Sequence, residues 1–187
     1  LWTRLLSLLL GGTVYTFSII LAVFLLGLWA GSGAGSFAAR RIAHPAMALA
    51  WCQLLLVLSI GWTAHTLTYS LPYWPVDPWL SLDPVFNFQL DLVRCLWAIL
   101  PATLLWGASF PLALAAAAQP GEDPGTLAGE IYAANTAGSV AGALAFSLVL
   151  IPAWGTRASQ QLLIAIAALG AITAAMPAIR VRSSRSM

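Results

Sequence analysis

Lysine is missing altogether from this chain, and charge of either sign is scarce: eight Arg and six Asp or Glu among 187 residues, 7% in all. An average soluble domain carries roughly 25% charged residues. The shortage excludes a water-facing shell around so apolar a chain, which is 60% hydrophobic with a mean hydropathy of +0.88. It also excludes a nucleic-acid surface, because the arginines stand singly or in pairs rather than in a dense basic patch. Cysteine is limited to Cys52 and Cys95, both in apolar runs without CxxC spacing, and they read as small buried side chains rather than a disulfide or a metal site. Also absent are a GxGxxG loop after a strand, GxSxG, HExxH and paired carboxylates in a pocket-forming segment. No catalytic residue and no cofactor is expected in this chain.

What is present is a set of long stretches without any Asp, Glu, Lys or Arg: residues 5–39, 42–76, 95–121, 131–156 and 158–179. A bilayer core of about 30 Å needs about 20 helical residues, so each stretch is long enough to span it, and the alternating pattern of transmembrane strands is not seen. These features predict an all-α, polytopic transmembrane helical bundle with about five spans, near residues 13–34, 45–67, 92–117, 131–152 and 159–176. Gly11-Gly12 divides the first stretch, leaving residues 1–10 as a short apolar helix or the tail of a preceding one. Pro101 and Pro111 predict kinks in the third span, with the freed carbonyls satisfied by Thr, Ser or a neighbouring helix. Residues 69–88 hold four Pro and six aromatics, which predicts an interfacial loop lying against the membrane.

Arg40 and Arg41 fall between the first two spans, and Arg180, Arg182 and Arg185 follow the fifth. Alternation places both groups on one side, which the positive-inside rule makes cytoplasmic, with the C-terminus there too. Residue 1 then lies outside, without a signal peptide or an initiating Met, so a preceding helix and a longer protein are expected.

Two ladders of small residues recur at four-residue spacing: Gly27, Gly31 and Gly35 in the first span, and Ala134, Gly138 and Gly142 in the fourth. Such spacing lines one helix face and lets a second backbone approach closely, the main attraction available in lipid. Both spans are therefore expected to pack tightly, against each other or in a homo-oligomer. Asn135 sits beside the second ladder, where an amide serves either as an interhelical hydrogen bond or as a polar group lining a substrate or ion path. Glu130 is placed in the first turn, complementing the helix N-terminal dipole or anchoring at the interface. His65 reads as an interfacial histidine, Gln53, Thr63 and Gln160-Gln161 as interhelical hydrogen-bonding groups, and Asp91 with Arg94 as an i, i+3 pair.

Three phrases together carry a resemblance: WTRLLSLLLGGTVYTFSIILAVFLLGLWAGS (2–32), PATLLWGASFPLA (101–113) and GEIYAANTAGSVAGALAFSLVLIPAWGTR (129–157). They resemble the membrane half of bacterial integral-membrane, fused transporter-like spermidine synthase-like proteins, and the likeness extends over nearly the whole chain. The resemblance implies a bacterial cytoplasmic-membrane protein whose hydrophobic helices precede a Rossmann-like domain transferring an aminopropyl group from decarboxylated S-adenosylmethionine to putrescine. It implies that the family's first helix and its catalytic half lie outside these 187 residues, and it supplies no catalytic residue here. Anchoring or serving that domain is the leading expectation, followed by an accessory or scaffold subunit of a membrane complex and by a polyamine-like transporter. The expected partners are the bilayer and other transmembrane helices.

Overall fold

The computed structural model describes residues 1–74, 83–118, 121 and 123–176 in full and the backbone of 177–184. The described chain is helical: α1 (Trp2–Leu10), α2 (Val14–Arg41), α3 (Pro45–His65), α4 (Pro84–Ala117), α5 (Pro124–Leu144) and α6 (Ile151–Ser184). Four runs are long and apolar enough to cross a membrane, the last being the continuous Pro124–Met176. That run of 53 residues would measure about 80 Å as one helix, far beyond a bilayer. Gly155 interrupts it with φ 76° and ψ 175°, leaving two arms. This is an integral-membrane helical bundle, and its physical solvent is lipid.

Local chemistry sets the helix ends. Gly11 at φ 97° separates α1 from α2, and the Thr13 hydroxyl caps α2 by accepting the Thr16 N–H at 3.2 Å. Asp83 and Asp123 cap α4 and α5 in the same way, each followed by a proline whose missing N–H costs nothing in a first turn. At Asp123 the Thr126 N–H, then its hydroxyl, then the Gly125 N–H hold the carboxyl below the usual carboxylate range. The cap is therefore complete above that range and is lost as pH falls through the lowered value.

Several expected boundaries move for the same reason. The described parts of the expected 69–88 loop are mostly helical: a wide π turn (Thr66–Ser70) and a 3₁₀ turn (Leu71–Tyr73) prolong α3, and α4 begins at Pro84, since Pro72 and Pro84 occupy first-turn positions. Its middle, 75–82, lies outside the described residues. Span one runs to Arg41 rather than residue 34, because its late glycines are held inside the helix by a neighbour. Span four starts at Pro124, so Glu130 is the seventh residue of α5 and not in its first turn; the capping role belongs to Asp123.

Contacts give the directions of the helices. Gly27 meets Thr103, Gly31 meets Leu104 and Gly35 meets Ala108, so α2 and α4 run parallel, their glycine face sealed by Gly107 against Leu28. Antiparallel packing of α3 on α4 is shown by Cys52 Sγ donating to the Leu105 carbonyl at 3.4 Å and by Thr63 Oγ1 donating to the Ala98 carbonyl at 2.7 Å. On its other side α3 lies antiparallel to α6, with Gln53 near Gly170 and His65 near Gln160. The start of α2 is therefore at one end of the bundle, with the end of α3 and Gly155. Arg40, Arg41 and the C-terminal end of α6 are at the other. The buried core is Leu6, Ile19, Ile20, Val23, Leu56, Ile60, Cys95, Ala98, Ile99 and their neighbours, drawn from α1 to α4.

Pro101 lacks the N–H that the Trp97 carbonyl would accept from it in a regular helix. The Trp62 indole N–H takes that acceptor at 3.0 Å, its ring edge-on to Trp97 with centroids 5.2 Å apart. Trp62 and Thr63 thus clamp adjacent carbonyls at the kink. Trp62→Phe is expected to cost about 1 kcal/mol, since hydrogen bonds within membranes contribute about 0.6 kcal/mol on average and at most about 1.7. Combined with Pro101→Ala, which restores a helical donor, the same change should cost much less. A double-mutant cycle of unfolding in mixed micelles measures the difference; additive effects would refute the clamp.

Candidate functional site

α5 stands apart from this core. Only 6% of the apolar window in Pro124–Met176 is buried, against 33% in Val14–Arg41 and in Pro84–Ala117. The expected contact of the first span with the fourth is not made within the chain: α2's glycines are occupied by α4, and a side chain added at Gly138 or Gly142 would meet nothing within 4 Å. Ala134 is likewise exposed. The reason is geometric, since a small-residue ladder permits close approach without naming a partner, and Gly107 and Ala108 on α4 present α2 with the complementary small surface.

Between α5 and the rest of the bundle lies an open cleft of about 1120 Å³. Its aromatic walls come from Trp2, Phe24, Trp106 and Phe110, and Asn135, Gly138, Ser139 and Gly142 line the α5 side. Trp2 of α1 stacks on Trp106 of α4 at 5.1 Å between centroids, and Phe24 of α2 tilts against the same ring. The short helix α1 thus builds one wall of the cleft.

The polar groups of the cleft differ in how far they are satisfied. Ser109 and Ser139 spend their hydroxyl donors on carbonyls of their own helices, Trp106 and Asn135, each at 2.7 Å. Asn135 and Gln53 have no side-chain hydrogen bond to any described residue, and the Trp2 indole N–H, in a side chain 8% exposed, has no acceptor. Two amides, each able to donate and accept, therefore line a largely apolar space, with the enclosed Trp2 indole N–H in its wall. Such a lining suits an uncharged polar group, a hydroxyl or a carbonyl, carried on an apolar body. Among the described residues that line it there is no carboxylate.

Of the residues singled out in sequence, Asn135, Gly138, Gly142 and Gln53 come together at the cleft. Glu130 is exposed on α5 and does not line it, and Gly27, Gly31 and Gly35 are consumed by packing on α4. Thr63 makes the expected interhelical bond, and Asp91 pairs with Arg94 at 3.6 Å. Cys52 and Cys95 are buried free thiols, and His65 lies against Tyr69 with rings 5.6 Å apart. The described residues contain no group of three His, Cys, Asp or Glu able to hold a metal ion. Trp2 and Trp106 were missed as site residues, because an aromatic in an apolar run carries no signal of which wall it will form. Comparison with protein-family models, with curated proteins and with solved structures finds no match to this chain.

Proposed function

We propose that the chain is the membrane-embedded domain of a spermidine synthase-like protein, anchoring or serving an aminopropyltransferase-type domain. Its resemblance to that family over three long phrases motivates the reading. The structural observation that supports it is the backbone-to-backbone seam of α2 on α4, which makes the core a stiff platform suited to an anchor. Arg40, Arg41 and the C-terminal end of α6 lie at one end of the bundle, which by the positive-inside rule is the cytoplasmic side of a bacterial inner membrane. The transferase chemistry itself resides in residues outside this chain. The test is the intact mass of the native protein extracted from its membrane, set against 19.7 kDa, followed by an assay of aminopropyl transfer to putrescine. A larger mass with product supports the proposal. A mass near 19.7 kDa, or a larger protein that forms no product, rejects it.

A second reading is favoured by the open face of α5: an accessory or scaffold subunit whose Ala134, Gly138 and Gly142 receive a helix of another subunit or of a second copy. A transporter is the third. The cleft has the size for a small molecule, yet a polyamine would meet aromatic faces there without a carboxylate to offset its charge. Uptake of labelled putrescine by proteoliposomes decides it, and absence of uptake removes that reading.

A further inference from the structure

A second depression, of about 460 Å³, lies at the end of the bundle opposite Arg40 and Arg41. It is walled by the end of α3 with its π turn, by Leu5 of α1, and by the arm of α6 that begins after Gly155. Among the described residues its polar lining includes His65, Tyr69, Thr156, Arg157, Gln160 and Gln161, with no Asp or Glu. Three features converge there. Gly155 leaves helical geometry, so Thr156 and Arg157 form the first turn of a new arm, where backbone N–H groups lack intrahelical acceptors and the dipole is positive. Arg157 is exposed and forms no ion pair with a described residue, and it brings five donors in a planar fork. Gln160, one turn further on, is 8% exposed, yet its Nε2 has no acceptor.

A buried amide donor left without an acceptor is destabilising, because it has given up water for nothing. A bound acceptor removes that cost. Donors from a helix start, a guanidinium and an amide, without a carboxylate among the described lining residues, select an anion that offers several oxygens at once. We propose that this depression binds a phosphate group. Leu5 and Ile164 give it an apolar rim, and its level at one end of the spans is that of lipid headgroups, so the phosphate belongs either to an anionic phospholipid or to a small soluble phosphate. The proposal concerns a different site from the α5 cleft and does not depend on the transferase reading.

The test is native mass spectrometry of the whole protein from uncharged detergent micelles containing phosphatidylglycerol or phosphatidylcholine, with inorganic phosphate as competitor. Phosphatidylglycerol adducts are expected on the wild type, reduced about tenfold by Arg157→Gln and by Gln160→Met, since each removes a hydrogen bond to a charged group. Arg157→Lys should retain part of the binding, and Arg40→Gln, at the other end, should retain all of it. Circular dichroism and gel filtration check that each variant is folded. If millimolar inorganic phosphate displaces the lipid, or raises the melting temperature in an Arg157-dependent way, the source is a soluble phosphate. If it does neither, the source is the headgroup. Equal adducts on the wild type and Arg157→Gln, or no binding of either ligand, overturn the proposal.

Discussion

Gly31→Leu is expected to abolish the folded bundle. A Cβ at Gly31 would run into the Leu104 carbonyl oxygen and lie 2.7 Å from its carbon and 2.9 Å from its Cα. These are backbone atoms of a helix and cannot turn aside, so α2 and α4 must separate over their whole seam. Overpacking in a core that can adjust costs about 1–3 kcal/mol; here the cost should be about 3 kcal/mol or more, enough to unfold a marginally stable protein. Gly31→Ala should already be severe. At Gly27 the Thr103 hydroxyl can rotate away, but the Thr103 Cβ, 2.7 Å off, moves only with the backbone, so Gly27→Ala should also be destabilising, though less than Gly31→Ala, where all three nearest atoms are backbone. Thermal unfolding in detergent gives the ranking, and a Gly31→Leu protein that melts like the wild type would refute the seam.

Gly138→Leu is expected to have the opposite signature. Nothing lies within 4 Å of a Cβ at Gly138, so the chain should fold and melt normally. Gly138→Ala should even stabilise α5 by about 1 kcal/mol, the helix-propensity difference between the two residues. If the α5 face receives a helix of another subunit, Gly138→Leu should dissociate that assembly on native gels while leaving the chain itself intact. Unchanged migration of the assembly would reject the scaffold reading. The two glycines have the same spacing in sequence, and their predicted consequences diverge only because one ladder has a neighbour and the other does not.

The membrane spans were legible in sequence, because the cost of placing a charge in lipid is borne residue by residue and leaves gaps that can be read off the chain. The breaks at Gly11 and Gly155 differ in this respect. The first was anticipated from Gly11-Gly12 itself, whereas the second falls in the interval 153–158 between the fourth and fifth expected spans, with no residue singled out, and the structure joins both arms into one interrupted run. The prolines were legible as kinks, and the need of the Trp97 carbonyl for a new donor followed from Pro101. That Trp62 supplies the donor depended on the antiparallel register of α3 on α4.

Of the cleft, Asn135, Gly138 and Gly142 were visible as unusual residues for a lipid-facing helix, but the walls opposite them were not. Trp2 and Trp106 are separated in sequence by two whole spans and most of a third, and meet only because α1 folds back beside α2 and α4. Gln160 offered no sign that its amide would be enclosed without an acceptor.

Composition and charge spacing by themselves determined that this is a bundle of membrane-spanning helices, since solvation by lipid acts on each segment separately. Only the tertiary structure decided that α2's glycines seal onto α4 while α5's remain open over a cleft. Close packing depends on the shape of both surfaces, and a ladder of small residues describes only one of them.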